Sequence, residues 1–226
     1  MIIKEGAFFI ADSHYNNKRK VLFELLHKID IQKNKETQLF LMGDIFDFLC
    51  DEIDYFQDIN QGIINLINEM SHHMEIIYFE GNHDFNLEET FPKVNVIRRE
   101  EQPVYVIQNK KKIALAHGDI FTPKSYNIFT AIFRNSFLLY FLNIIDIHNW
   151  LTKFAERKLK SKQICHPQKN FVNFVAHRIE NYDVDLVIEG HFHQGYQDDK
   201  YINLPSLACD GRYMIYQDKQ FNFIRV

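Results

Sequence analysis

Short apolar runs recur along the chain, and each ends abruptly at polar or glycine-containing residues. Each run has the length of a strand and carries few polar side chains, a pattern typical of strands that are buried on both faces. The pattern predicts five strands: Ala7–Ala11, Gln38–Met42, Glu75–Glu80, Ile113–Ala116 and Asp185–Glu189.

Segments with helical spacing separate these runs. Apolar residues recur at intervals of three and four, which is the spacing of one helix face, in Lys18–Ile29, Ile59–Met70 and Phe171–Asn181. The alternation of strand and helix predicts an α/β fold with a parallel or mixed sheet. Beyond residue 200, closely spaced apolar segments predict a closing antiparallel meander of Tyr201–Leu204, Tyr213–Gln217 and Phe221–Arg225.

Residues 123–166 depart from this rhythm, because two or more helical segments follow one another between two strands of the core. We interpret them as a helical cap inserted into a single domain that spans residues 1–226. An internal repeat or a Gly/Ser-rich linker, either of which would favour separate domains, is absent from the sequence.

Composition narrows the class of protein. The 226 residues are 46% hydrophobic and 25% charged, which favours a globular chain with a large core over a disordered one. The formal net charge of −4 supplies no cationic field for nucleic acid, so we expect no nucleic-acid partner. Cys50, Cys165 and Cys209 lie far apart without a CxxC pair, which favours reduced thiols over a disulfide or a zinc–thiolate site.

Neither of two apolar segments predicts a membrane-targeting element. The run at Ala7–Ala11 is too short for the apolar region of a secretory signal. The longest strongly apolar stretch, Phe137–Ile147, is interrupted by Asn143 and Asp146 and has about half the length needed to span a bilayer. We therefore expect a cytoplasmic chain that does not cross the membrane.

Polar residues of metal-binding types follow each of the five predicted strands. They occur in the clusters Asp12-Ser13-His14, Gly43-Asp44-Ile45-Phe46-Asp47, Gly81-Asn82-His83-Asp84, His117-Gly118-Asp119 and Gly190-His191-Phe192-His193. A single such cluster is usually a turn or a helix cap. Five clusters after five strands indicate side chains that converge on one site.

The residue types indicate which metals would bind there. Mixed carboxylate, imidazole and amide ligands suit Mn²⁺, Fe²⁺ or Zn²⁺, and the lack of thiolates argues against a structural zinc site. A pair of such ions, sharing one carboxylate, activates water and clamps phosphoryl oxygens during hydrolysis.

The five clusters resemble the signature of the calcineurin-like metallophosphoesterase superfamily, which reads D-x-H, G-D-x-x-D, G-N-H-D/E, H-G-D and G-H-x-H. The match runs from Asp12 to His193. The resemblance implies a four-layer α/β/β/α sandwich with two divalent ions, which we expect to be Mn²⁺, at the strand ends. It implies one ion held by Asp12, His14, Asp44 and His193, and a second held by Asp44, Asn82, His117 and His191, with Asp44 bridging.

The same resemblance assigns roles to three further residues. His83 would contact the substrate phosphate and protonate the leaving oxygen. Asp84 and Asp47 would support the site by hydrogen bonding to a ligand or catalytic imidazole, although Asp47 is also explained as a solvated turn carboxylate.

The cap carries more apolar side chains, between Tyr126 and Trp150, than one face of a short helix normally buries. This segment is either a helix packed between the sandwich and a second cap helix, or an apolar groove or membrane-facing surface that receives acyl chains. The basic run that follows is either a solvated face or a contact for anionic headgroups or a substrate phosphate. With Asn82 and His83, the candidate substrate contacts are Phe137, Phe141, Arg157, Lys158 and Lys162.

Within the superfamily, the chain length, the Gly81–Phe85 segment and the helical insertion resemble pyrophosphatases of lipid A biosynthesis. Those enzymes cleave a UDP-linked diacylglucosamine to UMP and the diacylglucosamine 1-phosphate. The best-known form has Arg at position 83, where this chain has His. The resemblance implies a glycolipid nucleotide substrate and peripheral association with the anionic inner membrane, with no protein partner.

Two other functions are compatible with parts of the pattern. One is a soluble phosphodiesterase or nucleotide pyrophosphatase that acts on a substrate without lipid. The other is a scaffold without activity, which we disfavour because all seven predicted ligand residues, with Asp44 shared by both ions, are of ligand types.

Overall fold

The computed structural model describes residues 1–31 and 38–226. Its strands are β1 (Ala7–Ile10), β2 (Gln38–Leu41), β3 (Glu75–Phe79), β4 (Asn95–Ile97), β5 (Val104–Gln108), β6 (Lys111–Ala116), β7 (Leu186–Glu189), β8 (Tyr196–Gln197), β9 (Tyr201–Asn203), β10 (Arg212–Gln217) and β11 (Gln220–Arg225). Its α-helices are α1 (Val21–Ile31), α2 (Asp54–Met70), α3 (Lys124–Phe133), α4 (Ser136–Ile145), α5 (Trp150–Ser161), α6 (Phe171–Ile179) and α7 (Leu207–Asp210).

The strands form two sheets. The first has the order β11-β10-β1-β2-β3-β4, and the second has the order β5-β6-β7-β9-β8. In the first sheet β1, β2, β3 and β4 run parallel, and in the second β6, β7 and β9 run parallel. All five predicted core strands are present, and each belongs to one of these parallel sets.

Alternate residues of each strand face opposite sides of the sheet, and this alternation builds three apolar layers. Phe9 and Phe40 of the first sheet share a core with Leu115 and Ile188 of the second. The outer face of the first sheet packs on α1 and α2, and that of the second packs on α6. This is the predicted four-layer α/β/β/α sandwich.

The predicted closing meander is wrong in part. Of its three predicted segments, the last two pair with each other, as the antiparallel hairpin of β10 and β11, which pairs with β1 in the first sheet. The segment at Tyr201–Asn203 instead lies parallel to β7 in the second sheet. Its apolar pattern predicts a strand but carries no information about which of two facing sheets the strand joins.

The expectation of reduced thiols is also wrong for two of the three cysteines. Cys165 and Cys209 form a disulfide, with their Cα atoms 5.6 Å apart, whereas Cys50 is a buried free thiol. Forty-four positions separate the two bonded residues, so their spacing in the sequence gives no sign that the fold brings them together.

The helices α3, α4 and α5 lie between β6 and α6, inside the expected cap segment 123–166. Most of their large apolar side chains are exposed. Packing between the sandwich and a second helix therefore does not account for this apolar surface. Among the described residues no single helix is long and apolar enough to cross a bilayer, although α3 and α4 together, with a 48° bend, reach that length and composition.

A buried carboxylate, Asp84, fastens the end of β2 to the end of β3. Both of its oxygens accept hydrogen bonds, and the five donors are the backbone N–H groups of Asp44, Ile45, Phe46 and Gly81 and the hydroxyl of Tyr78. Since every contact is a donor, only an acceptor with two oxygens satisfies them all.

We predict that Asp84→Asn lowers the free energy of unfolding by about 2–4 kcal/mol, because its amide N–H₂ would face backbone donors in a buried site. Urea denaturation followed by circular dichroism measures the change. The control is Asp183→Asn, whose side chain is fully exposed and should change stability by less than about 0.5 kcal/mol. Equal effects of the two substitutions would contradict the role given to Asp84.

Candidate metal centre

The predicted ligands meet at one edge of the sandwich. Asp12, Asp44 and Asn82 follow the carboxyl ends of the parallel strands β1, β2 and β3, and His117 and His191 follow those of β6 and β7. The carboxyl ends of parallel strands share a sheet edge, and the two facing sheets present their edges side by side. The fold therefore brings together residues that lie up to 179 positions apart.

One cluster of ligand atoms comes from Asp12, His14 and His193. The Nε2 atoms of the two imidazoles are 3.4 Å apart, and His193 Nε2 lies 3.3 Å from Asp12 Oδ1. Asp44 Oδ2 lies 3.9 Å from His14 Nε2. These four side chains could hold one divalent ion.

A second cluster comes from Asp44, His117 and His191. His117 Nε2 lies 3.5 Å from Asp44 Oδ1, 3.4 Å from Asn82 Oδ1 and 3.3 Å from His191 Nδ1. The two oxygens of Asp44 thus face different clusters, which is the arrangement expected of a bridging carboxylate.

Acceptor atoms face one another across both clusters. His117 Nδ1 donates to the carbonyl of Met42 at 2.9 Å, and His193 Nδ1 donates to that of Ile164 at 3.0 Å. In a neutral imidazole the other nitrogen is then an unprotonated acceptor. These nitrogens lie close to carboxylate and amide oxygens, so a positive charge between them, from a proton or a metal ion, would relieve the repulsion. The donor set fits divalent metal ions.

The pKa values of the buried ligands reflect this crowding. Burial lowers the pKa of His14 to about 3 and also lowers the pKa of His191. Burial opposes ionisation of Asp44, but the surrounding imidazoles, His117 first, hold the pKa of that carboxyl far below its usual range. Although burial opposes its protonation, the Asp44 carboxylate raises the pKa of His117 to about 9.

Five of the predicted ligands have left-handed backbone conformations, in which non-glycine residues are uncommon. Their φ angles lie between 40° and 66°, and the residues are Asp12, His14, Asp44, His191 and His193. Such conformations persist where the surrounding structure fixes them, and they cluster at functional sites. Here all five lie in the loops that follow β1, β2 and β7.

Two glycines leave room for the ligands. A Cβ atom at Gly43, whose φ is +83°, would lie 2.3 Å from His117 Nδ1. A Cβ atom at Gly81 would lie 2.4 Å from both the backbone nitrogen and Oδ1 of Asp44. Any side chain at either position would therefore displace a ligand, and at Gly81 the reason is close packing and not a left-handed turn.

His83 lies beside both clusters. Its Nδ1 donates to the carbonyl of Asp47 at 2.7 Å, which leaves Nε2 directed at the open site. Its backbone N–H donates to Asp44 Oδ1 at 2.9 Å. With His14 and Asp44, the ring also forms a third group of candidate ligand atoms.

The two supporting carboxylates have partners that differ from those expected. Asp84 accepts backbone amides and a tyrosine hydroxyl, not an imidazole, so its contribution to the site is to fix the loops. Asp47 Oδ1 lies 3.8 Å from His14 Nδ1, and its carboxylate accepts hydrogen bonds from Asn16 and Arg19. Its backbone carbonyl, and not its carboxylate, orients His83.

Two cavities open beside the metal ligands and meet at Asn82 and His83. The first, of about 590 Å³, is mostly apolar and lies between the core and the cap, where it is lined by aromatic and aliphatic side chains that include Phe48, Phe85, Phe129, Phe133, Leu142 and Phe154. The second, of about 450 Å³, is called the polar cavity because most of the residues that line it are polar or charged, and they include His14, Asp44, Lys162, His166, Gln168 and Gln194.

The predicted cap contacts are distributed unevenly. Lys158 lines the apolar cavity and Lys162 the polar one. Phe137 and Phe141 are exposed and belong to neither cavity lining, and the guanidinium of Arg157 donates to the carbonyl of Lys153. Sequence reasoning thus identified the correct helices for an apolar lining but not the helix faces.

Sequence reasoning missed Arg134, which joins the cap to a metal-binding loop. Its guanidinium donates to the carbonyl of Gly81, lies 3.5 Å from Glu80 Oε2 and covers the ring of Phe85 at 4.9 Å. Burial raises the pKa of Glu80 to about 7, and Arg134 opposes this shift. A single arginine inside the apolar segment Tyr126–Trp150 is the sequence signal that could have identified it.

The family profile of the calcineurin-like phosphoesterases matches residues 7–195. The chain belongs to this family, and it is a metal-dependent phosphoric ester hydrolase. The UDP-2,3-diacylglucosamine hydrolase of Histophilus somni (strain 2336) is 28% identical over 205 residues, which cover 83% of each chain. The protein of the same name from Wigglesworthia glossinidia brevipalpis is 26% identical over 202 residues, which cover 83% of this chain and 79% of that one. Among solved structures, TT1561 of Thermus thermophilus aligns with a TM-score of 0.47 at 12% identity, over 98% of this chain and 99% of that one.

We predict that His83→Ala lowers kcat for a small phosphodiester by about 10²–10⁴-fold, because His83 is the residue that we expect to protonate the leaving oxygen. Manganese content, measured by atomic emission after dialysis, should not change. The control is His177→Ala, since the His177 side chain is 83% exposed and lies outside both cavity linings. A metal content that falls in proportion to the rate would make His83 a ligand and not an acid.

Proposed function

We propose that the chain hydrolyses the pyrophosphate of UDP-2,3-diacylglucosamine to UMP and 2,3-diacylglucosamine 1-phosphate, a step of lipid A biosynthesis. The observation that carries this proposal is the junction of an apolar and a polar cavity at Asn82 and His83. A substrate with acyl chains at one end and a nucleotide at the other would fill both cavities with its pyrophosphate at the ligands. The names of the relatives from Histophilus and Wigglesworthia support the same substrate.

The apolar cavity suits acyl chains in size and lining. Its aromatic wall includes Phe133, whose ring lies 6.1 Å from Phe48, 6.2 Å from Phe85 and 5.7 Å from Phe129. Each buried methylene contributes about 0.8 kcal/mol to binding. Acyl chains would therefore supply most of the substrate affinity, and Lys158 in the lining of this cavity offers a charge to a substrate phosphate.

The polar cavity suits the nucleotide and its phosphates. Lys162, His166 and Gln168 line it. They offer a cation and hydrogen-bonding groups to an anionic, hydroxyl-rich ligand. The same cavity is lined by proposed metal ligands, which are His14, Asp44, Asn82, His191 and His193, and Asp12 and His117 complete the two clusters beside it.

The residues present would divide the chemistry among them. Two divalent ions, for which we propose Mn²⁺, supply acidified water and stabilise charge on phosphoryl oxygens when they are bound. His83, held at Nδ1 by the Asp47 carbonyl, carries a proton at Nε2 when it is charged and donates it to the leaving oxygen. Asn82 and His83 line both cavities and so position the bond to be cleaved.

The exposed apolar face of the cap supports peripheral association with the cytoplasmic side of the inner membrane. Phe137 is 89% exposed, and Ile144, Ile147 and Trp150 are each more than 60% exposed. An exposed apolar surface of this kind, followed by basic residues, is typical of proteins that lie on anionic lipid. Arg157 is exposed, whereas Lys160 of the same run is paired with Glu156.

We predict different effects for substitutions at two phenylalanines of the cap, Phe133 and Phe137. Phe133→Asn should raise KM for the diacyl substrate in detergent micelles by about 10–100-fold, since a lost apolar contact of this size corresponds to about 1.5–3 kcal/mol. Phe137→Asn should leave that KM unchanged and weaken binding to anionic vesicles in a sedimentation assay.

A small soluble phosphodiester serves as the control substrate, because it reaches the metals without the apolar cavity. Both variants should hydrolyse it at the wild-type rate, which also shows that they are folded. If Phe133→Asn changes KM equally for both substrates, or for neither, the acyl-chain proposal fails and the soluble pyrophosphatase or phosphodiesterase takes its place.

A further inference from the structure

The segment 162–168 forms one wall of the polar cavity, and it lacks regular secondary structure. It follows α5 and precedes α6. Gln194 anchors its far end, since Gln194 Nε2 donates to the carbonyl of His166 at 3.0 Å and Gln194 Oε1 accepts the N–H of Gln168 at 2.9 Å. Its middle is held by the Cys165–Cys209 disulfide.

The disulfide lies beside a predicted metal ligand. Ile164, the neighbour of Cys165, accepts the Nδ1–H of His193 at 3.0 Å. The Sγ atom of Cys209 lies 3.8 Å from the same nitrogen. His193 therefore depends on this segment for the contact that fixes its tautomer and orientation.

The other half of the disulfide is attached to a second ligand of the same cluster. Cys209 lies in α7, whose N-cap residue Ser206 donates through its hydroxyl to the carbonyl of Asp12 at 2.8 Å. The N–H of Ala208 donates to that carbonyl as well, at 3.2 Å. The disulfide thus closes a ring of contacts. The ring runs from Asp12 through α7 and the disulfide to Ile164, and it returns through His193, whose Nε2 lies 3.3 Å from Asp12 Oδ1.

We propose that Cys165 and Cys209 are redox-linked positioning residues for the metal site of Asp12, His14 and His193. While the bond is intact, the Ile164 carbonyl holds His193 Nδ1–H and presents Nε2 to the ion. A dithiol reductant delivers two electrons and two protons, the S–S bond breaks to give two thiols, and the dithiol becomes a disulfide. Cys165 is exposed, so the bond is open to such a reagent. Released from Cys209, Ile164 no longer holds the imidazole in place.

Loss of an orienting partner of a metal-bound imidazole typically weakens metal affinity about 10–100-fold. The expected result is therefore a selective one. One of the two Mn²⁺ ions should bind about 10–100-fold more weakly after reduction, and the other, which depends on His117 and His191, should keep its affinity. This effect concerns the metal centre alone, and it is independent of the lipid substrate proposed above.

The experiment measures Mn²⁺ binding by titration calorimetry with the full-length wild-type chain. Protein in which mild oxidant leaves one reactive thiol per chain is compared with protein in which a phosphine exposes three thiols per chain. The thiols are counted with a thiol reagent after denaturation. Cys165→Ser, Cys209→Ser and the double variant should each reproduce the reduced protein, because all three lack the same bond. The control Cys50→Ala removes the buried thiol that lies outside both cavity linings and should bind both ions as the wild type does.

Three results would overturn the proposal. The first is that each of the two ions binds oxidised and reduced wild-type protein with the same affinity, even if reduction lowers the melting temperature. The disulfide would then be purely structural. The second is weaker binding in Cys209→Ser but not in Cys165→Ser, since the effect would then arise from the sulfur beside His193 and not from the bond. The third is failure of the wild-type chain to reach the one-thiol state under mild oxidant.

Discussion

The structure depends on one electrostatic constraint, which is that acceptor atoms from both sheets converge in a buried site. Asp12, Asp44, Asn82 and the imidazoles of His117 and His193 present carboxylate, amide and unprotonated ring atoms to one another at 3.3–3.5 Å. Such a cluster is repulsive without a positive charge between its members. Where no metal supplies that charge, a proton must supply it. The raised pKa of His117, which favours the protonated ring, reflects this requirement. The bridging position proposed for Asp44 follows from the same constraint, since its two oxygens face different clusters.

The surrounding fold holds these atoms against their repulsion. Three features fix the loops. They are the left-handed backbone at five ligands, glycine at positions 43 and 81, and the hydrogen bonds that Asp84 accepts from the amides after β2. The cap that lies against this sheet edge is apolar. Some of its apolar side chains line one cavity, and others are exposed on its outer face. The division between polar and apolar cavities is therefore set by where the cap helices cross the metal-binding loops, with Arg134 at the crossing.

The core of this fold is well predicted from the sequence because its signals are local. Five of the buried parallel strands, β1, β2, β3, β6 and β7, are continuous apolar runs that end in residues of metal-binding types, so the candidate ligands from Asp12 to His193 could be proposed from the sequence. The strands β4 and β8 were missed because they have only three and two residues and are partly exposed. The strand β5 was also missed, although its residues Val104–Ile107 have the apolar pattern of a strand. Pairings between distant segments produce no pattern in the local sequence. The disulfide of Cys165 with Cys209, the sheet to which Tyr201–Asn203 belongs, and the turning of Phe137 away from the cavity all depend on tertiary packing.

In the arrangement that we propose, Asp44 joins two ions into one centre. The most direct measurement is electron paramagnetic resonance of the manganese-loaded chain at low temperature, with the manganese content counted on the same sample. A bridging Asp44 predicts two Mn²⁺ ions per chain with the spectrum of an exchange-coupled pair, and the loss of that coupling in Asp44→Ala. Saturation at one ion per chain, or two ions with the spectrum of isolated Mn²⁺, would contradict it.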